Sequence, residues 1–194
     1  MIIYFVIIAA IATRFIPHLS NFAPVTALAI FAAAYLPKKQ AVVIPLAVRF
    51  VSDIFLGFFQ WPLMLAVYAS HLFGVLLGLW IKRARVSSAD LNQTRPNIGR
   101  VVKGQEGINR WLKIIGSSLI ASAVFFVVTN FAYFYPYYPH NFSGIIAAYA
   151  NGLPFLRGTL LGDLSYTIAL FGSYALVGHL ATRWQKTEIS ENLA

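Results

Sequence analysis

Two ionisable residues of opposite charge, Arg49 and Asp53, lie four positions apart in an otherwise apolar stretch. On a helix this spacing places both side chains on one face, where they can pair. Ionisable groups are costly in hydrocarbon and normally face a bundle interior or a cavity. The pair therefore predicts either an internal lock between helices or the floor of a ligand cavity.

A second combination, Arg157 and Asp163, lies in the last third of the chain. A spacing of six does not place two side chains on one helical face, so each needs a partner elsewhere. Asn130 follows a long apolar stretch, and its amide needs a hydrogen-bond partner if it is buried. All three residues are candidates for a structural role or for ligand contact.

Asn21 and Asn151 each begin an Asn-x-x-Pro pattern. Asparagine can cap a helix whose first turn contains proline, which is a structural interpretation. The alternative is that the two helix N-termini point at an anionic group of a ligand.

A tyrosine-rich segment, residues 131–140, contains Tyr133, Tyr137 and Tyr138. Such residues form the aromatic belt at a membrane interface. They can equally line a pocket for a flat ring, because aromatic faces stack on ring systems. Both interpretations stay open.

Motifs for other chemistries are missing from the sequence. Cysteine is absent, which excludes disulfides and thiolate ligands, and the four histidines have no metal-ligand spacing, so we expect no metal or cofactor. The sequence lacks a nucleophile elbow, a phosphate-binding loop and a dinucleotide fingerprint, so we expect no enzyme. An intramembrane enzyme using Asp53, Asp163 or His71 as acid or base remains the third hypothesis.

The composition places these residues in a bilayer. Of 194 residues 59% are hydrophobic and only 11% charged, with a mean hydropathy of +0.70, whereas soluble domains carry about 25% charged residues. The net charge of +9 is read as a topology signal rather than as a sign of nucleic-acid binding.

The apolar segments predict an all-α integral membrane bundle of six transmembrane helices in a single domain, residues 1–186. A basic cytoplasmic loop is expected at 82–111, a short re-entrant or interfacial segment at 144–155, and a cytoplasmic tail at 187–194. The expected spans are 2–16, 22–36, 41–59, 61–81, 112–135 and 159–182.

Cation counting gives the expected orientation. With both termini in the cytoplasm, twelve of the fifteen lysines and arginines lie on the inner side, as the positive-inside rule favours. The tyrosine-rich segment then faces outward. We expect a multi-pass protein of a bacterial inner membrane, with the lipid bilayer as its first partner.

Small residues recur at helical spacing in the second span, at Ala29 and Ala33, and in the fourth, at Gly74 and Gly78. Such faces let another helix approach closely. They serve either packing within the chain or docking onto a partner membrane protein.

Four motifs together resemble an uncharacterised family of small bacterial polytopic membrane proteins, over residues 14–172. The motifs are Asn21-Phe22-x-Pro24-Val25-x-Ala27-Leu28-Ala29, Ser52-Asp53-x-x-Leu56-Gly57-Phe58, Phe125-Phe126-x-x-Thr129-Asn130-Phe131, and Pro154-Phe155-x-Arg157-Gly158-Thr159-Leu160-x-Gly162-Asp163. This resemblance implies no activity.

In size and topology the chain is also similar to the S components of energy-coupling factor vitamin transporters. That resemblance implies outward capture of a small micronutrient and docking, through Ala29 and Ala33, onto a transmembrane coupling subunit served by ATPases. The leading hypothesis is therefore a substrate-capture subunit, and the alternative is a scaffold of an envelope complex. The candidate ligand contacts are Asn21, Arg49, Asp53, Asn130, Tyr133, Tyr137, Tyr138, Asn151, Arg157 and Asp163.

Overall fold

A computed structural model describes residues 2–13, 21–94 and 99–191, and over these ranges the chain is helical with no strand. The predicted all-α class is confirmed. Residues 14–16 of the predicted first span and 192–194 of the predicted tail lie outside the described residues. The elements are α1 (Ile2–Thr13), α2 (Val25–Tyr35), α3 (Lys38–Leu56), α4 (Trp61–Thr94), α5 (Gly99–Thr129), a short 3₁₀ turn (Ala132–Phe134) and α6 (Phe142–Glu191).

The short helix α2 is the centre of the fold. Ten of its eleven residues are buried, and helices on several sides pack against it. A helix that is apolar all round needs such an enclosed position. Phe31 anchors it to α6, with its ring 5.2 Å from that of Phe171 in an edge-on contact.

Among the described residues, three helical segments are long and apolar enough to cross a membrane: Trp61–Arg83, Gly107–Thr129 and Phe142–Ala181. The helix α2 is apolar but spans only roughly 16 Å at 1.5 Å per residue, about half the hydrocarbon thickness. The six crossings and their orientation remain predictions.

Two expectations about connecting segments are corrected. Most of the predicted loop 82–111 is helical, because α4 continues to Thr94 and α5 begins at Gly99. The predicted re-entrant segment 144–155 is not separate from the last helix, since α6 runs without interruption from Phe142 to Glu191 and contains Pro154. Neighbouring helices can satisfy the carbonyl that such a proline leaves without a donor.

The small-residue faces of α2 and α4 pack on each other. Ala29 and Ala33 are fully buried, and a β-carbon at Gly78 would come 2.6 Å from that of Ala33. At Gly74 it would lie 3.4 Å from the β-carbon of Ala29. The structure thus shows the packing alternative, because α4 of the same chain covers Ala29 and Ala33, and their docking onto a partner stays a prediction.

Candidate ligand-binding site

A cavity of about 420 Å³, which we call the outer cavity, lies where α3 ends and α4 begins. It is bounded by the end of α5, the tyrosine-rich segment and the first turns of α6. The lining residues are Asn21, Arg49, Phe59, Leu63, Val67, Phe125, Thr129, Asn130, Tyr135, Tyr137, Tyr138, Ala148, Asn151, Gly152 and Phe155. Six are aromatic, three are asparagines, and Arg49 is the one charged residue among the described lining.

Arg49 is held in place on two sides. Its Nε donates to Oδ2 of Asp53 at 2.9 Å, which confirms the predicted pairing along one helical face. Its guanidinium carbon lies 5.5 Å from the centre of the Phe59 ring, a cation–π contact. Asp53 is itself buried, accepts a 3.2 Å hydrogen bond from Tyr68 Oη, and stands behind Arg49 rather than in the cavity wall.

The amides of Asn130 and Asn151 are fixed by short-range contacts. Asn130 Nδ2 donates to the carbonyl of Phe126 at 2.9 Å, and its side chain packs against Gly152 so closely that a β-carbon there would collide with it. Asn151 Nδ2 donates to Tyr138 Oη at 2.9 Å, joining α6 to the tyrosine-rich segment.

Some tyrosines of the tyrosine-rich segment line the cavity and others lie outside it. Tyr135, Tyr137 and Tyr138 line the cavity, with the rings of Tyr137 and Tyr138 4.7 Å apart. Tyr135 Oη donates to the Thr129 carbonyl at 2.7 Å. Burial, with a smaller effect from the neighbouring Tyr137 and Tyr138, raises the pKa of Tyr135 above its ordinary value.

Tyr133 lies outside the cavity. It is about half exposed, and its ring stacks between Phe131 at 5.0 Å and His140 at 4.5 Å. These neighbours hold the ring away from the described lining, so its ligand contact stays a prediction that the cavity does not support.

Beneath the outer cavity is a small space of about 50 Å³, the deep chamber, lined in part by His71, Thr159 and Asp163. Asn21, Arg49 and Phe125 line both spaces, so Arg49 marks the boundary between them. The carboxylate of Asp163 accepts hydrogen bonds from Ser122 Oγ, at 2.7 Å, and from Thr26. The predicted cavity residue Asp163 thus belongs to the chamber below and is tied to α5 and α2.

A close chain crossing places Asn21 beside this region. A β-carbon at Gly162 would lie 2.9 Å from the Cα of Phe22, so the absence of a side chain lets residues 21–24 cross α6. Asn21 adopts a left-handed conformation, with φ of 61°.

The interpretation of the two Asn-x-x-Pro patterns as helix caps is wrong at both positions. Pro24 is the N-cap residue of α2, with no side-chain cap hydrogen bond. Asn151 lies in the interior of α6, where no helix begins.

The structure brings together Asn21, Arg49, Asn130, Tyr137, Tyr138 and Asn151 in one lining. It does not bring Arg157 to them. That residue lies on an exposed face of α6, outside the described lining of either space, and its ligand contact stays a prediction that neither space supports. The helical rotation between Phe155, which lines the cavity, and position 157 turns the side chain away.

Several lining residues were not among the predicted contacts, notably Tyr135, Phe125, Thr129, Gly152 and Phe155. Four of them could have been recognised from the sequence. Phe125, Thr129 and Phe155 belong to the motifs of the family resemblance, and Tyr135 belongs to the tyrosine-rich segment. Gly152 could not have been recognised in this way, since its role depends on the helix packed against it. In the described part of the chain, no group of three or more His, Cys, Asp or Glu side chains could hold a metal ion.

The fold and the site define an all-helical protein with helices long enough to cross a membrane and a polar, aromatic cavity at one end of the bundle. The chain belongs to DUF6580, described as a family of unknown function, whose model matches residues 1–186. No curated protein and no solved structure matches the chain.

Proposed function

We propose that this protein captures a small organic molecule at the outer side of a bacterial inner membrane for uptake. The observation that carries the proposal is the outer cavity, about 420 Å³ walled by aromatic rings, three amides and one guanidinium. Small-molecule sites typically enclose roughly 300–1,000 Å³, with mostly apolar walls and a few placed polar groups. This lining suits a flat, polar molecule that stacks on rings and accepts or donates a few hydrogen bonds.

The positions of cations support an outward-facing cavity. Leu63 lines the cavity near the start of α4, and Lys82 lies roughly 28 Å further along that helix at 1.5 Å per residue. At that far end Lys82 Nζ donates to the Leu36 carbonyl at 2.6 Å, close to the exposed Lys38 and Lys39. Cations collect on the cytoplasmic side of membrane proteins, which directs the opposite end, with the cavity, outward.

Capture alone does not move a ligand across a bilayer. The proposal therefore includes a partner, a transmembrane coupling subunit with ATPases, in the manner of the S components that the chain resembles. Since Ala29 and Ala33 are covered by α4, such a subunit would dock on a different face. A scaffold of an envelope complex and an intramembrane enzyme are the competing functions that the experiment must separate.

The test is native mass spectrometry of the protein after gentle detergent extraction. Ala148 is buried and lines the cavity, whereas Ala169 is exposed on the same helix. We expect a retained compound in the wild type and in Ala169→Leu but not in Ala148→Leu, where the larger side chain fills the cavity. Circular dichroism establishes that both variants remain folded.

Other results identify the competing functions. Membrane partners without an ATPase, on a protein that never holds a compound, would indicate the scaffold. A bound compound that the purified protein alone converts to a product would indicate an enzyme.

A further inference from the structure

We propose that the ligand is an aromatic or heteroaromatic monocarboxylate, whose carboxylate pairs with the terminal nitrogens of Arg49. The inference deepens the proposed capture function and rests on it. It starts from a specific feature of Arg49: within the part of the chain that the structure describes, only Nε has a hydrogen-bond acceptor. The Nη1 and Nη2 groups carry the rest of its donors and have no acceptor among the described residues.

The guanidinium of Arg49 is held in a fixed position at the wall of the cavity, where a ligand can reach it. Its side chain is only 16% exposed and lines the boundary of the outer cavity and the deep chamber. Asp53 and Phe59 restrict the guanidinium from two sides. Such a fixed planar fork loses little freedom when it binds, and it matches the two oxygens of a carboxylate in a bidentate pair.

The local charge disfavours a ligand with more than one negative charge. Asp53 already offsets the charge of Arg49, and the described lining of the outer cavity holds no other ionised side chain. A carboxylate contributes one charge, whereas a phosphate monoester carries about −1.5 to −2 at neutral pH. Because Asp53 already pairs with Arg49, every negative charge of the ligand adds to the net charge of a partly buried site, so the greater charge of a phosphate costs more than that of a carboxylate.

The aromatic side chains in the cavity walls are the reason for proposing an aromatic ring in the ligand. Phe125 and Phe155 line the cavity together with three tyrosines whose rings contact one another, so its walls offer several aromatic side chains to a planar ring. No carboxylate of the described lining is available to receive an ammonium group, which disfavours an amino acid. Amides such as Asn151 can bind ring heteroatoms without adding charge.

The experiment compares matched acids and amides on the wild-type protein in detergent, by isothermal titration calorimetry. The probes are benzoate, indole-3-carboxylate and 2-naphthoate, each against its primary amide, together with phenyl phosphate. We expect at least one acid to bind about tenfold or more tighter than its amide, since hydrogen bonds to charged groups are the stronger ones. No variant is involved, so this comparison does not depend on folding of a mutant.

Arg49→Lys then tests the role of the fork, with Arg157→Lys as the matched control on the exposed face of α6. Lysine keeps the charge beside Asp53 but cannot form the bidentate pair. We expect the preference for the acid to fall about tenfold in Arg49→Lys and to stay unchanged in Arg157→Lys.

Three results would overturn the inference. Equal binding of an acid and its amide would show that the site does not recognise a carboxylate, while the proposed capture of a small molecule would stand. Tighter binding of phenyl phosphate than of every carboxylate reassigns the ligand class. Failure of every probe to bind rejects the aromatic carboxylate, and the capture function then depends on the compound retained in the mass-spectrometry experiment, which is independent of these probes.

Discussion

Gly152 of α6 and Asn130 at the end of α5 occupy a single shared space. A β-carbon at position 152 would lie 2.6 Å from Cγ of Asn130 and 3.1 Å from the ring of Phe126. The glycine therefore sets how closely α6 approaches α5 beside the cavity, and it holds the Asn130 amide against the wall.

We expect Gly152→Ala to destabilise the protein by about 1–3 kcal/mol, the usual cost of overpacking a filled interior, and to weaken ligand retention. Gly172→Ala is the matched control on the same helix, because nothing lies within 4 Å of a β-carbon there. That variant should gain up to about 1 kcal/mol from the helix preference of alanine. Unfolding in detergent, followed by circular dichroism, measures both, and equal stabilities would contradict the contact.

The Arg49–Asp53 pair allows a test of coupling within the site. Arg49→Leu removes the pairing of Arg49 with Asp53, which is 2% exposed, and losing one member of a buried pair costs about 3–5 kcal/mol. Replacing both residues by leucine should recover part of that stability, because the buried carboxylate is removed together with Arg49. Ligand binding should be lost in the single and the double variant alike.

Arg157→Leu is the control for removing one cation from this region. Since Arg157 is exposed, the change in unfolding free energy should stay within about 0.5 kcal/mol. A double variant no more stable than Arg49→Leu alone would contradict the role of Asp53 as the counter-charge.

The pairing of Arg49 with Asp53 could be predicted from the sequence because it is local, with both residues on one helix and their spacing fixed by its geometry. The closely packing faces around Ala29 and Gly78 could be recognised for the same reason, but not that they face each other. The identity of the facing helix depends on the arrangement of all the helices, which no single segment encodes.

The candidate site was predictable in part. Polar residues such as Asn130 and Arg49 could be recognised as candidates by residue type alone, because they are costly in a bilayer. The positions of Tyr133 and Arg157 could not be predicted, because one turn of chain or 100° of helix rotation decides whether a side chain enters the cavity. Pro154 misled the interpretation of residues 144–155, since proline usually breaks a helix and here lies inside one.

Tyr135 predicts a dependence of stability on alkaline pH. Burial raises its pKa above the ordinary value of 10.0, so the folded protein keeps the phenol proton at pH values where the unfolded chain has lost it. The contribution of Tyr135 is therefore complete below pH 10 and is lost as the pH rises through the folded pKa.

The measurement compares the unfolding free energies of the wild type and Tyr135→Phe between pH 8 and pH 12, with tyrosinate absorbance followed in parallel. We expect the advantage of the wild type to shrink as the pH rises above about 10. A difference that stays constant across this range would show that the phenol is not shielded from solvent.

The contact between α2 and α4 gives a matched pair of variants one helical turn apart. A β-carbon at Gly78 would collide with the Ile30 carbonyl and lie 2.6 Å from the β-carbon of Ala33, and backbone cannot move aside as a flexible side chain can. At Gly74 the nearest atom would be 3.4 Å away, an ordinary contact. We expect Gly78→Ala to cost about 1–3 kcal/mol through overpacking and Gly74→Ala to be close to neutral, as measured by unfolding in detergent. If the helices separate to accept Gly78→Ala without loss, then α2 is not the fixed centre of the bundle, and the burial of Ala29 and Ala33 would no longer argue against their docking a partner.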